Sequence, residues 1–333
     1  STQEFAPGAL LLVADDDSEL AALRAAHAGA STHVLPDALA DALEQAQQRG
    51  EPVAHIVWIA SRAASPDDER PLLALFDAIR AALHGSNARR SLGWTLLSFD
   101  GCAVRDGDPV RPTHAALQGL VASFAKEFGH WQVRAADLRA TDRIPWQRIL
   151  ALPPDRAGNT LAWRDQSWFR QVLVSVETPE AAPVPWRDRG VYLVIGGAGG
   201  IGAAVSEELA RRHAARIVWI GRRELEPSIE SGLDRIRAAG GEASYVRCDV
   251  ADGDALQSVI AGVRERHGAL HGIVHSAIGE LDASLGDMDR TRFAASLRPN
   301  VQGVRSVRRA VDAEAVDFVL FFSSVAVFSR DHG

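Results

Sequence analysis

Short apolar runs alternate with stretches of helical periodicity along this chain. Three of these runs fall in the first half and three in the second: GALLLVA, VAHIVWIAS and LGWTLLSF, then VYLVI, LHGIVHSAI and VDFVLFFSSV. Strands that are apolar throughout are typical of parallel sheets covered by helices on both faces. The pattern therefore predicts an α/β fold with two Rossmann-like, parallel-sheet subdomains.

The spacing of these runs predicts that both halves share one plan. The first two runs are 44 positions apart in the first half (13 to 57) and 80 apart in the second (194 to 274). The first half therefore looks like the second with one strand–helix portion missing. The stretch VETPEAAPVPWRDRG divides them, because its prolines disfavour regular structure. We predict a first domain at residues 1–178, a linker at 179–189 and a second domain at 190–333.

A glycine cluster follows the first strand of the second half. Gly197, Gly199 and Gly202 have the G-x-G-x-x-G spacing between a strand, Val191–Ile195, and a helical pattern, Ala203–Arg211. Glycines allow a tight turn and close approach to a pyrophosphate, whose charge the free N–H groups of the helix N-terminus bind. The predicted dinucleotide site also includes Ala198, Gly200 and Ile201. The alternative is a tight strand–helix turn without a ligand.

The first half has no counterpart of this loop. Its first strand is followed by DDDSEL, and the carboxylates of Asp15, Asp16 and Asp17 would repel a pyrophosphate. Carboxylates suit a helix N-terminus, where Asp17 or Ser18 is the expected N-cap. We therefore predict that this shortened subdomain binds no nucleotide.

The ends of the next two strands of the second half indicate which dinucleotide binds. Arg222 and Arg223 follow IVWIG, where an acidic residue would favour NAD, and arginines accommodate the 2′-phosphate of NADP. The alternative is two solvated arginines in a loop. Asp249 follows EASYVRC and could accept a hydrogen bond from the adenine amino group. Alternatively, Asp249 or Asp252 begins the next helix.

Charge, hydropathy and the cysteine and histidine content argue against several other classes of protein, namely nucleic-acid-binding, membrane-spanning, disulfide-rich and metal-binding proteins. The net charge of −7 offers no basic surface to nucleic acid or anionic membranes, and no apolar run reaches the roughly 20 residues of a membrane span. Cys102 and Cys248 are far apart in sequence, which favours buried thiols in a reducing cytoplasm. His267, His271 and His275 have metal-ligand spacing, but LHGIVHSA is typical of a strand, so we predict no metal site.

Together, the segments YLVIGGAGGIG, IVWIGRRE, RCDV, GIVHSAI and FVLFFSSVAVF resemble the ketoreductase domains of modular polyketide synthases, which are short-chain dehydrogenases/reductases. They look most like those of assembly lines with free-standing acyltransferases. The resemblance spans the whole chain, with a structural subdomain first and a catalytic one second. It implies NADPH-dependent reduction of a β-ketoacyl chain on an acyl carrier protein. It also implies neighbouring synthase domains as partners.

The resemblance assigns roles to particular residues. Ser324 matches the serine that hydrogen-bonds the substrate oxygen, and Asn300 stands where the family has a catalytic lysine. Asparagine carries no charge, so it cannot lower a tyrosine pKa as an ammonium would, although it could hold a water. Asp282 matches the aspartate that marks a D-configured β-hydroxyl product. Four further residues are expected to contact the cofactor: Val250, Ser276, Ala277 and Ser323.

The catalytic tyrosine of this family would lie beyond Gly333. The second subdomain is therefore expected to be incomplete, with VDFVLFF as an exposed sheet edge. A longer chain, a second polypeptide or a truncated remnant would each account for this. Three functions remain open: an active ketoreductase, a non-catalytic remnant that binds NADPH, or a short-chain dehydrogenase for a free small molecule.

Overall fold

The computed structural model describes residues 9–27, 29, 31–51, 53–65, 68–83, 90–177, 185–279, 283–312 and 316–324. These residues form two compact units. The first comprises the described part of Ser1–Ser175 together with Ala283–Arg290, and the second comprises the described parts of Val176–Asp282 and Thr291–Ser324. Within the described ranges, no helix is long and apolar enough to cross a bilayer.

A sheet of seven strands runs through the described part of the first unit, in the order β2-β1-β3-β4-β5-β6-β7. The strands are parallel except for β7, which pairs antiparallel with β6. All seven residues of β4 are buried, as expected for a strand covered on both faces. The strands are β1 (Ala9–Val13), β2 (Ser31–Val34), β3 (Val53–Ile59), β4 (Gly93–Phe99), β5 (Gln132–Leu138), β6 (Thr160–Arg164) and β7 (Ser167–Arg170).

Amphipathic helices cover this sheet. In α3, for example, Leu72, Leu75, Phe76 and Ile79 recur at helical spacing and are buried. The helices are α1 (Leu20–Ala26), α2 (Leu39–Gln48), α3 (Arg70–Leu83), α4 (Pro112–Glu127) and α5 (Trp146–Leu150), with a short 3-10 helix at Pro36–Ala38.

The described part of the second unit contains a five-stranded sheet in the order β10-β9-β8-β11-β12, parallel throughout. The strands are β8 (Val191–Ile195), β9 (Arg216–Gly221), β10 (Glu242–Arg247), β11 (Gly272–His275) and β12 (Phe318–Phe321). The helices are α6 (Gly200–His213), α7 (Pro227–Ala238), α8 (Gly253–His267) and α9 (Arg290–Asp312).

The strand orders confirm the predicted α/β class and the relation between the halves. In the second sheet, β9 and β10 extend outward from β8 before the chain crosses to β11 on the other side. In the first sheet, β2 alone extends outward from β1 before the chain crosses to β3. The first half therefore lacks one strand–helix portion.

Three local predictions differ from the structure. Helix α1 begins at Leu20 with Glu19 at the N-cap, so neither Asp17 nor Ser18 caps it. Instead Ser18 donates its N–H and its hydroxyl to Asp16 Oδ1, because short polar side chains compete with helix caps for local partners. Helix α6 begins at Gly200, three residues before the predicted start. The first sheet also ends in an antiparallel hairpin of β6 and β7, which differs from the predicted all-parallel sheet, and the turn of this hairpin contains no glycine.

A buried polar network fills the carboxyl ends of the central strands in the first unit. Asp137, at the end of β5, lies 2.7 Å from Arg164 Nη2, and both side chains are almost fully buried. Its carboxylate also accepts hydrogen bonds from Ser98 Oγ at 2.7 Å and from the Gly101 N–H at 2.8 Å. This charged pair lies at the ends of β5 and β6, away from the end of β1, whose counterpart in the second unit carries the glycine loop.

The segment Ala283–Arg290 packs within the first unit although it follows most of the second in sequence. The Glu127 carboxylate, at the end of α4, accepts hydrogen bonds from the N–H groups of Leu285 and Gly286 at 3.0 and 3.3 Å. Arg80 Nη1 donates to the Met288 carbonyl at 2.7 Å. The Met288 side chain is buried. The first unit is therefore completed by a late piece of the chain.

Candidate cofactor and active site

All five strands of the second sheet are parallel, so their carboxyl ends lie along one edge. The strand order reverses between β8 and β11, which is the point where open α/β sheets bind ligands. The glycine loop follows β8, and Ser276 and Ala277 follow β11. The predicted site residues thus flank the reversal point.

Packing within the protein explains three of the glycines in this loop. Gly196 has φ of 75° and a side chain on it would collide with the Ala277 backbone. A Cβ on Gly197 would meet the Trp219 ring at 2.1 Å, and a Cβ on Gly202 would meet the Gly196 carbonyl oxygen at 2.7 Å. These glycines are required by the fold, with or without a ligand.

Gly199 and Gly200 differ from those three glycines, because the space beside them is open. A Cβ on Gly199 would meet only the Gly196 carbonyl oxygen, at 3.2 Å, and one on Gly200 would meet nothing within 4 Å. Gly199 is the N-cap of α6, so the free N–H groups of the first turn point toward this space. The open cradle at a helix N-terminus fits a pyrophosphate. Ala198 and Ile201 complete this loop, and the Ile201 side chain is 54% exposed.

Ser276 joins the loop to β11. Its hydroxyl donates to the Ile195 carbonyl at 2.9 Å, and its N–H donates to the same carbonyl at 2.9 Å. The Gly196 N–H in turn donates to the Ile220 carbonyl of β9. Backbone and hydroxyl hydrogen bonds therefore fix the start of the glycine loop to the strands on either side.

Arg222 and Arg223 follow β9, and both are exposed. Arg223 Nη1 forms an ion pair with Glu226 Oε1. Arg222 has no ion-pair partner among the described residues. The two predicted phosphate ligands are therefore not equivalent, since one guanidinium is committed to a carboxylate and the other is not.

Asp249 follows β10 and does not cap the next helix. Asp252 has that role, because its side chain accepts a hydrogen bond from the Ala255 N–H at 3.0 Å. Asp249 Oδ1 accepts from the Ala251 N–H at 3.0 Å, and Oδ2 lies 3.3 Å from Arg298 Nη2. Val250 is buried. The adenine-binding role of Asp249 stays a prediction, and α8 begins without it.

Ser323 and Ser324 follow β12 after one intervening residue, Phe322, and are exposed at the same edge. Asn300 lies within α9 and is also exposed. The preceding residue, Pro299, accepts a hydrogen bond from His275 Nε2 at 3.2 Å, which brings this part of α9 to the end of β11. Asp282 lies outside the described residues.

Neither tyrosine of the chain lies beside Ser324 in the sheet. Tyr192 is in β8, where its hydroxyl accepts from the Arg187 N–H at 2.6 Å. Tyr245 is in β10, and its hydroxyl donates to the Arg223 carbonyl at 2.6 Å. Burial raises the pKa of both phenols. Both tyrosine hydroxyls therefore form hydrogen bonds with backbone groups of neighbouring loops.

The three histidines with metal-ligand spacing are on different elements. His267 ends α8, His271 precedes β11 and accepts from the Val191 N–H through Nδ1, and His275 ends β11. In the part of the chain that the structure describes, no group of three or more His, Cys, Asp or Glu side chains could hold a metal ion.

The parallel sheet and the glycine loop at its reversal point are those of a Rossmann-like fold, in which this edge of the sheet is where nucleotides bind. Residues 190–333 match the family model described as KR domain. The chain belongs to the ketoreductase domain family of polyketide synthases.

Individual proteins agree with this assignment. Polyketide synthase PksM of Bacillus subtilis (strain 168) is 38% identical over 83% of this chain, and polyketide synthase PksN of the same strain is 32% identical over 97%. The chain spans only 7% and 6% of their lengths. An N-terminal ketoreductase from the macrolactin assembly line has a TM-score of 0.78 at 19% identity, over 98% of this chain and 72% of that one. This last likeness shows the fold alone.

Proposed function

We propose that this chain binds NADPH and reduces a β-ketoacyl chain carried on an acyl carrier protein to the β-hydroxyacyl form. The observation that carries the proposal is the open cradle at Gly199 and Gly200, together with Arg222 after the neighbouring strand, which pairs with no carboxylate of the described residues. A cradle at a helix N-terminus suits a pyrophosphate, and a free guanidinium suits a 2′-phosphate. The cofactor supplies a hydride when bound.

The chain's own residues would bind the cofactor and orient the substrate and a water molecule. The N–H groups of the first turn of α6 would hold the pyrophosphate, and Ser324 would donate a hydrogen bond to the β-carbonyl oxygen as negative charge develops there. Asn300, which is uncharged, would orient a water at the site and would not replace the charge of a lysine. The β-carbon would receive the hydride, and the β-carbonyl oxygen would take a proton delivered from solvent through that water, which gives the alcohol.

A non-catalytic domain that retains NADPH binding is the second candidate. The observation in its favour is the uncharged Asn300 in α9, because an amide cannot lower the pKa of a proton-donating tyrosine as an ammonium would. Binding alone does not separate the candidates, because such a domain would bind cofactor too.

Oxidation of NADPH in the presence of a β-ketoacyl thioester separates them. We expect turnover that Ser324→Ala reduces by about 100-fold, with unchanged NADPH affinity. Arg237→Met, which removes two exposed ion pairs on α7, to Glu230 and Asp234, is the control and should turn over normally. NADPH binding without oxidation would establish the second candidate. Equal rates with free and carrier-bound thioesters would instead favour a dehydrogenase for small molecules.

Three finer expectations belong to the same proposal. Asp282 supports a D-configured hydroxyl, which chiral analysis of the released product tests. The synthases that contain the related segments support neighbouring synthase domains as partners. The free thiols of Cys102 and Cys248 support a reducing cytoplasm.

A further inference from the structure

Two side chains of β10 hold the loop that follows β9. Tyr245 and Arg247 are two positions apart in the strand, so they lie on the same face of the sheet. The Tyr245 hydroxyl donates to the Arg223 carbonyl at 2.6 Å, and Arg247 Nε donates to the Arg222 carbonyl at 3.1 Å. Two consecutive loop carbonyls are therefore fixed by the neighbouring strand.

The register of the two strands makes this arrangement possible. Arg247 is paired with Gly221 in the parallel ladder, at the last position before the loop. The ladder continues past the strands, since the Cys248 N–H donates to the Gly221 carbonyl at 2.9 Å. A side chain on Gly221 would come within 3.1 Å of the Tyr245 hydroxyl. The end of β9 is thus packed against these two residues.

The two glutamates of the loop at residues 222–226 each form an ion pair with an arginine. Arg247 Nη1 forms an ion pair with Glu224 Oε1, and Arg223 does so with Glu226. The loop and the end of β10 thus carry three guanidinium groups and two carboxylates, and within the described ranges Arg222 is the one that forms no ion pair. If Arg247 were absent, Glu224 would stand uncompensated two residues from Arg222. An acidic residue after this strand repels a 2′-phosphate and favours the free ribose hydroxyl.

We propose that Arg247 and Tyr245 are positioning residues for cofactor selectivity: they fix the loop at residues 222–226 and neutralise Glu224, so that Arg222 meets the 2′-phosphate. Arg247 acts through the loop and through Glu224, without contact to the cofactor. This inference rests on the proposed NADPH binding, and it identifies Glu224 as the residue that would otherwise oppose it.

The test uses the affinity ratio of 2′,5′-ADP to 5′-AMP, measured by calorimetry on the full chain. These probes differ only in the 2′-phosphate, and neither needs turnover. We expect the wild type to prefer 2′,5′-ADP, and Arg247→Met to lower the ratio about fivefold, as expected for one charge contact near the surface. Adding Glu224→Gln to Arg247→Met should restore the ratio to within about twofold, which a merely structural role of Arg247 would not produce.

Arg216→Met is the matched control, because Arg216 forms an ion pair with Glu242 at the opposite end of the same two strands. It should leave the ratio unchanged. If Arg247→Met fails to fold, Glu224→Gln alone decides the question, since it frees the Arg247 guanidinium and should raise the ratio.

The two proposals fail in different ways. A wild type that binds both probes equally overturns the assignment of NADPH, and with it the role of Arg247. A wild-type preference that survives in Arg247→Met, or that Glu224→Gln does not restore, overturns the positioning role alone.

Discussion

Gly199 and Gly202 are three residues apart in one loop, and their surroundings give them different constraints. Gly199 has a φ of −84° and ψ of 166°, which any residue can adopt, and open space beside it. Gly202 is enclosed, since a Cβ there would also meet Ser276 Oγ at 2.8 Å. Packing accounts for Gly202, whereas packing does not require a glycine at position 199, as expected if the proposed cofactor occupies the space beside it.

This difference predicts opposite outcomes for two substitutions. Gly199→Asp should fold with unchanged or higher melting temperature, because aspartate is a favourable N-cap, yet it should abolish NADPH binding through its charge. Gly202→Ala should lower stability by about 1–3 kcal/mol through overpacking. Thermal melting and NADPH titration of both variants test this. Unchanged cofactor affinity in Gly199→Asp would contradict the site assignment.

Between elements, β5 and β6 of the first unit are joined by a charged pair as well as by backbone. Asp137 in β5 and Arg164 in β6 are 0% and 2% exposed as side chains, respectively. Leaving one charge buried without its partner is costly, because neither water nor another ion replaces it. The pair therefore makes the attachment of the final hairpin sensitive to a single substitution.

We expect Asp137→Asn to lower the free energy of unfolding by about 3–5 kcal/mol. Asp165→Asn is the control, since Asp165 pairs with Arg105 at the surface and exposed ion pairs contribute at most about 1 kcal/mol. Urea denaturation of both variants measures the difference. Equal destabilisation by the two substitutions would show that burial of the pair does not matter.

The long buried strands could be predicted from the sequence, and shorter elements could not. Strands β3, β4 and β8 are mainly apolar and almost wholly buried, so their position is evident from the hydropathy pattern alone. Strand β2 has four residues, two of them polar and not buried, and gives no such signal. The β6–β7 hairpin turns at Asp165 and Gln166, both with positive φ, where a glycine would have marked the turn.

The candidate site likewise contains residues that the sequence predicts and residues whose roles only the structure shows. The glycine loop and Arg222 are local in sequence, so spacing reveals them. The roles of Tyr245 and Arg247 depend on the register of β10 against β9, which no local pattern specifies. The pairing of Arg223 with Glu226 also depends on how the loop turns. Sequence therefore predicted which residues belong to this edge of the sheet, but not which guanidinium groups pair with carboxylates.

Across the whole molecule, buried histidines link stability to pH. His55 lies in the first unit with its ring nitrogen 2.8 Å from Thr95 Oγ1, and burial lowers its pKa well below 6.5. Burial also lowers the pKa of His114 in the first unit and of His275 in the second. The unfolded chain binds protons at these groups below about pH 6.5 and the folded protein does not. Stability is therefore retained above that pH and lost below it.

We expect the free energy of unfolding to be constant between about pH 7 and 8 and to fall between about pH 6.5 and 5, with at most about 1.4 kcal/mol per pH unit from each histidine. His55→Gln should make this slope shallower. Thr95→Val keeps the titrating ring and should keep the slope, although it removes the hydrogen bond. Urea unfolding at several pH values tests this, and the same slope in His55→Gln and wild type would contradict it.

The packing of Ala283–Arg290 on the first unit has a consequence for synthesis of the chain. The ribosome makes this segment roughly 110 residues after Ser175, a delay on the order of ten seconds at the usual rate of elongation. During that interval the surface that receives Met288, beside Arg80 and Glu127, is exposed. The nascent first unit therefore remains incomplete until most of the second has been translated, which makes this surface a candidate binding site for a chaperone.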